Sequence, residues 1–190
     1  EFYKYKTWGS MNPPAGYGSS GSTKTGKYNF INPLAEENGV DGLPDYKEPW
    51  ADWPQLQPDE EYPMITGFFR ILEHEHTSTF WNVALMKQYG TNPVWINYVD
   101  AKNLGIATGD DVVLSSPWAS VKSKAFVTWD IRQGVLAAAG GFGGKYGMEG
   151  DPKYPQFKGF NTNVLLPPNV ACKWTATPPL KYIKTNIRKA

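Results

Sequence analysis

The chain has 190 residues, 41% hydrophobic and 15% aromatic, enough for one ordinary domain with a real core and an extension besides. Nineteen Lys and Arg against 18 Asp and Glu leave a net charge of +1. There is thus no global field to recruit a polyanion, which argues against nucleic acid as a partner, and any anion must be held by local donors. No stretch approaches the ~20 apolar residues of a membrane helix, and the lone Cys172 excludes an internal disulfide and a cysteine-based zinc or iron–sulfur site within these residues.

The opening EFYKYKTWGS has neither an initiator Met nor an apolar signal core, and reads as an internal start, the chain being the C-terminal piece of something larger. Residues 1 to about 61 are rich in Gly, Pro, Ser and aromatics. Pro13-Pro14, Pro44, Pro49, Pro54, Pro58 and Pro63 are expected to break every candidate element. Tyr28, Phe30, Trp50, Trp53 and Tyr62 are costly to leave wet, so an extended arm laid over a larger body is preferred to a disordered linker. Thr25 to Ile31 reads as a turn and a short strand. The stretch Gly21-Ser-Thr-Lys-Thr-Gly-Lys-Tyr is no phosphate loop, because Tyr28 stands at the Ser/Thr place and no helix follows.

From residue 62 the pattern changes. Met64 to Arg70 is a strand, Ile71 to Asn82 a polar loop, and Val83 to Tyr89 a short helix. Val94 to Asn97 is a strand, followed by a short helix from Tyr98 to Asn103 with Gly105 as its C-cap. Gly109-Asp110 turns into a strand at 111–116, Val121 to Asp130 alternates as a half-buried strand, and Gln133-Gly134 turns into Val135 to Ala139. Glycines dominate from there to Gly150 as a long loop, and Leu180 to Arg188 is a last strand. About six or seven short strands with two short corner helices make a small mainly β barrel. Val94 to Gly144 itself carries no nucleophile, general base or ligand cluster.

Chemistry must therefore come from the loops. His74 and His76, with Glu73 or Glu75, have a spacing that could face a metal, but no distant fourth ligand can be named. A loop that hydrogen-bonds a polar ligand is preferred, since His74, His76, Thr77, Ser78, Thr79 and Asn82 offer a dense set of donors and acceptors, with a plain solvated loop as the alternative. Gly140-Gly-Phe-Gly-Gly-Lys145 resembles a phosphate cradle in composition, provided that it meets the His loop at one mouth of the barrel. Asn161 and Asn163 could read the edge of a heterocycle, although an Asn turn is the stronger reading. Arg70 and Arg132 are candidate anion partners. Asp110-Asp111 and Glu60-Glu61 are turn and surface residues, because neighbours on a strand face opposite ways. Cys172 reads as buried filler.

The runs YPMITGFFRILEHEHTSTFWN, VWINYVDAKNLGIATGDDVVLSSPWASVKSKAFVTWDIRQGVL and GFNTNVLLPP resemble the C-terminal dinucleotide-binding domain of the molybdopterin oxidoreductases, the dimethyl sulfoxide reductase family. One departure is that the family's Thr-Gly-Arg is replaced by Thr66-Gly-Phe-Phe-Arg70. The resemblance implies a double-psi β-barrel over residues 62–190, which closes over a bis(molybdopterin guanine dinucleotide) carrying molybdenum or tungsten. It implies an arm over residues 1–61 that packs on upstream domains. Arg70, Leu72, His74, His76, Thr77, Ser78, Thr79, Asn82, Lys145, Asn161 and Asn163 are the implied cofactor contacts, with no catalytic or metal-ligating side chain in this segment. An iron–sulfur cluster is expected upstream, with an iron–sulfur electron-transfer subunit and a membrane anchor as partners, on the extracytoplasmic side in preference to the cytoplasm. The activity implied is reduction of a sulfur oxyanion or polysulfide, with arsenate or nitrate reduction or formate oxidation as alternatives. A non-catalytic double-psi barrel that binds protein or peptide is the competing class.

Overall fold

The computed structural model describes residues 30–43, 45–76, 78–80, 82–143, 158–172 and 176–190. Contacts divide the chain between Lys47 and Glu48. In the first unit the described residues hold one short helix, α1 (Pro33–Glu37), and just before it Asn32 N–H donates to the Gly42 carbonyl at 2.9 Å. Residues 25–29 of the expected turn and strand lie outside the described residues, and Phe30 is exposed.

The second unit opens with α2 (Pro49–Asp52) and a 3-10 turn (Pro54–Leu56). Pro49 and Pro54 start these turns instead of breaking them. At the first helical position the missing N–H would be unbonded anyway and the fixed φ is already helical. Leu56 is fully buried, a gain of about 1.5–3 kcal/mol. Trp50 packs on Tyr182 with ring centroids 5.4 Å apart, and Asn186 Nδ2 donates to the Glu61 carbonyl at 2.8 Å.

Among the described residues six strands follow, β1 (Met64–Phe69), β2 (Val94–Asn97), β3 (Asp111–Ser115), β4 (Ser120–Thr128), β5 (Val135–Ala139) and β6 (Ile183–Lys189). They close in the order β1-β5-β2-β4-β3-β6, the expected barrel. The pairs β1/β5 and β2/β4 are parallel and the others antiparallel. Alternation sets the inner face. Met64, Thr66 and Phe68 of β1 and Ile183, Thr185 and Ile187 of β6 point inward and are buried, whereas Ile65, Gly67 and Phe69 face outward. Two of the inward residues are threonines, and the barrel satisfies them by pairing Thr66 Oγ1 with Thr185 Oγ1 at 2.7 Å.

Two helices, α3 (Val83–Gln88) and α4 (Tyr98–Leu104), turn the corners. Asn82 and Asn97 cap them from their side-chain oxygens, and Gly105 ends α4 at φ +65°. The last strand begins at Ile183 and not at Leu180. Pro178-Pro179 and the bonds Leu180 N–H to Pro178 O and Tyr182 N–H to Pro179 O bend residues 178–182 into a turn.

Candidate functional site

Because β1 and β5 are parallel and pair Phe69 with Ala139, the loops that leave them emerge side by side at one mouth of the barrel. Gly140 N–H donates to the Phe69 carbonyl at 3.1 Å and keeps the two exits together. A cleft of about 270 Å³ opens there. Its walls are Phe68 to Ile71 at the end of β1, Gly140 and Gly141 after β5, Thr162 and Asn163 in a 3-10 turn (Thr162–Leu165), and Leu180 and Lys181 before β6. His74 and Phe80 also line it.

Among the described residues the lining holds two cations, Arg70 and Lys181, and no carboxylate. Neither cation has an acidic partner among the described residues; Lys181 Nζ donates to the Phe68 carbonyl. In a chain of net charge +1 this is a local concentration of positive charge, which suits an anion. Lys181 and Thr162 were not singled out in the sequence. Lys181 looks like part of a basic strand until Pro178-Pro179 turns it into the mouth, and Thr162 sits between two more conspicuous asparagines.

The sequence-predicted residues separate. Arg70, His74 and Asn163 meet in the cleft with Gly140 and Gly141, so the His loop and the glycine loop do share one mouth. Leu72 is fully exposed and lines an adjoining cleft of about 490 Å³ that also contains Arg70, Tyr89 and Trp95. His74 is buried, stacked on Phe80 with centroids 4.2 Å apart and edge-on to Phe142. Its Nε2 lies 2.8 Å from the Tyr89 carbonyl, which can only accept, so Nε2 carries hydrogen. Its Nδ1 meets Thr79 Oγ1 at 3.2 Å, and Thr79 Oγ1 accepts from the Glu75 N–H at 3.0 Å. Both ring nitrogens are thus used, one within the loop and one at the end of α3. His76 faces solvent at φ +44° beside the Glu75 carboxylate, so the two histidines do not converge on one point. Ser78 donates to the Glu75 carbonyl at 2.7 Å, and Asn82 accepts from Ala84 and Leu85 N–H as the cap of α3. Asn161 accepts from Asn163 N–H at 2.9 Å as the cap of the 3-10 turn, leaving Asn163 as the amide in the cleft. Thr77 and Lys145 lie outside the described residues. Arg132 is exposed, and Cys172 is half-buried and not enclosed filler.

In the adjoining cleft the Tyr89 hydroxyl is buried without a hydrogen-bond partner among the described residues, with the Trp95 indole beside it but outside bonding geometry. Burial pushes this phenol above its ordinary value. Among the described residues no group of three or more His, Cys, Asp or Glu side chains comes together.

Residues 64–184 match the family model described as Molydopterin dinucleotide binding domain. The F420-dependent formate dehydrogenase subunit alpha of Methanocaldococcus jannaschii is 37% identical over 81 residues, 42% of this chain and 12% of that protein. The thiosulfate reductase molybdopterin-containing subunit of Salmonella typhimurium is 32% identical over 107 residues, 56% of this chain and 14% of that protein. The acetylene hydratase structure from Pelobacter acetylenicus superposes with a TM-score of 0.67 at 19% identity, covering 89% of this chain and 24% of that one, and shows the fold. The chain therefore spans a small part of the length of the proteins it matches.

Proposed function

Because the chain belongs to the molybdopterin dinucleotide-binding domain family, we propose that its barrel-mouth cleft holds the phosphate-bearing part of a molybdopterin dinucleotide in the catalytic subunit of a molybdenum or tungsten oxidoreductase. The observation that carries the reading is the cleft lined by the two cations Arg70 and Lys181, with no carboxylate among the described lining residues. Its chemistry fits such a group. A pyrophosphate wants fixed cations and main-chain donors, which Arg70, Lys181 and the Gly140–Gly141 turn can offer, and a heterocycle edge wants an amide such as that of Asn163.

When bound, the cofactor supplies the redox chemistry at its metal. The chain's own residues bind and orient it. Arg70 and Lys181 neutralise charge, Asn163 and Thr162 supply neutral hydrogen bonds, and the His74–Phe80–Phe142 packing keeps the loop after β1 in place. Substrate contacts, electron-carrying iron–sulfur centres and the ligand to the metal belong to the rest of the polypeptide in this reading. We infer a sulfur oxyanion or polysulfide as substrate, supported by the thiosulfate reductase relative; formate is the second reading, supported by the formate dehydrogenase relative. An iron–sulfur subunit and a membrane anchor on the extracytoplasmic side complete the proposed assembly.

The test uses the full-length protein purified with its native cofactor. Arg70→Ala and Lys181→Ala each remove a charge-assisted contact, about 1.5–3 kcal/mol, or roughly ten- to hundredfold in retention. Metal content by mass spectrometry and released pterin by fluorescence should both show the loss. Wild-type retention in both variants would overturn the assignment. Thiosulfate, polysulfide and formate, assayed side by side, separate the substrate readings.

A further inference from the structure

We propose that Asn92 is the positioning residue of this cleft, joining its Gly140–Gly141 wall to its Thr162–Asn163 wall so that both reach one bound group. The proposal rests on the cofactor-holding reading above. Asn92 precedes β2 and is fully buried. Its side-chain amide donates to the Ala139 carbonyl and to the Phe160 carbonyl, each at 2.9 Å, and its Oδ1 accepts from Phe160 N–H at 2.9 Å. Both amide hydrogens are thereby used, and the partners lie 47 and 68 residues away in sequence.

The two partners are well placed. Ala139 is the last residue of β5, directly before Gly140, and Phe160 stands two residues before Thr162. One planar group therefore fixes the chain entering each wall. Asn92 is itself anchored, because its main-chain carbonyl accepts from Ser123 Oγ of β4 at 3.2 Å. The wall segments are built to come this close. A Cβ at Gly159 would stand 2.1 Å from Asn92 Oδ1, and one at Gly143 would stand 2.1 Å from Asn161 N. Both glycines also have positive φ, +84° and +94°, where side chains are strained.

A space-filling residue would need none of this. Leucine would have the volume but no donors, and aspartate has the shape but no hydrogen to give to Ala139 or Phe160. Serine has one hydrogen where two are needed. Only an amide of this length serves two acceptors and one donor from one plane. The consequence reaches the ligand through other groups, since Asn92 does not line the cleft.

The experiment uses the full-length protein with its native cofactor, in wild type, Asn92→Asp, Asn92→Ser, Arg70→Ala and the core control Ile96→Val. The rate of pterin release is followed by fluorescence, with metal content by mass spectrometry, at a fixed interval below each variant's own Tm. A displaced wall loses charge-assisted hydrogen bonds to the bound anion, worth roughly ten- to hundredfold each, so Asn92→Asp should release pterin about ten- to hundredfold faster, with Asn92→Ser between it and wild type. Ile96→Val, compared at matched distance from its Tm, should release at the wild-type rate. If Asn92→Asp and Ile96→Val release alike while Arg70→Ala is fast, Asn92 only supports the fold and the inference is overturned while the cleft reading stands. If Arg70→Ala and Asn92→Asp both retain cofactor as wild type does, the reading and the inference fall together. Should Asn92→Asp not yield folded protein, Asn92→Ser decides by the same comparisons.

Discussion

His74 shows how a residue that looks like a ligand in the sequence becomes part of the scaffold. Its ring stacks on Phe80 and meets Phe142 edge-on, while its nitrogens bond to Thr79 in the loop and to the Tyr89 carbonyl at the end of α3. Replacing it by phenylalanine keeps the aromatic packing and removes only the polar part. The Tyr89 carbonyl and Thr79 hydroxyl would then lose a partner, at about 1–3 kcal/mol for a buried polar group left unsatisfied. His74→Phe should lower stability by that amount in chemical denaturation. A change within ±0.5 kcal/mol would mean that water replaces both bonds and that the ring is held by packing alone. The sequence places His74 beside His76 and invites a shared ligand. What separates them is the positive φ at His76, which turns its side chain to solvent, and no residue type announces that backbone twist in advance.

At the level of elements, strands and corner helices could be read almost residue by residue because their signals are local. Alternation marks β1 and β4, and Gly105 announces the end of α4, whereas the caps at Asn82 and Asn97 emerge only in the structure. The cleft could be read only in part. Arg70 and the Gly140–Gly141 turn are suggested by type, but the parallel pairing of β1 with β5 that brings them together is a long-range event. Asn92 and Lys181 gave no local sign at all, the first because its partners lie far off in sequence, the second because a proline pair redirects it. The glycines separate local from long-range roles experimentally. Gly105 has φ +65° with nothing within 4 Å of an added Cβ, so Gly105→Ala should cost only the left-handed strain, about 1–2 kcal/mol. Gly143→Ala adds a backbone collision at 2.1 Å to the same strain and should cost about 3 kcal/mol or more. Equal losses in thermal denaturation would show that the Gly143–Asn161 approach relaxes freely.

For the molecule as a whole, closure depends on β6, which pairs with β1 on one side and β3 on the other and leaves no free sheet edge. Both ends of this strand are tied by ion pairs to residues outside it, Lys184 Nζ to Asp59 at 2.6 Å and Lys189 Nζ to Asp110 at 2.9 Å. The first tie joins the segment before β1 to the barrel; the second joins β6 to the turn that launches β3. The hydrogen bond from Lys184, with a further one from Tyr62 N–H, holds the Asp59 carboxyl below the ordinary 3.8. The Ala107 N–H, and then Lys189, do the same for Asp110. A carboxyl whose folded pKa is depressed stabilises the fold above its unfolded pKa and loses that contribution as the pH falls through the folded value. The double variant Asp59→Asn/Asp110→Asn should therefore melt below wild type at neutral pH. The gap between the two should hold down to about pH 4 and narrow below 3.8, where wild-type carboxylates take up protons and the variant has none to take up. Added salt at pH 7 should narrow the same gap by screening the lysines. A gap that stays constant from pH 7 to pH 2 would mean that the two carboxylates do not act as charges in holding β6, and that strand pairing and the buried Ile183 and Ile187 close the barrel without them.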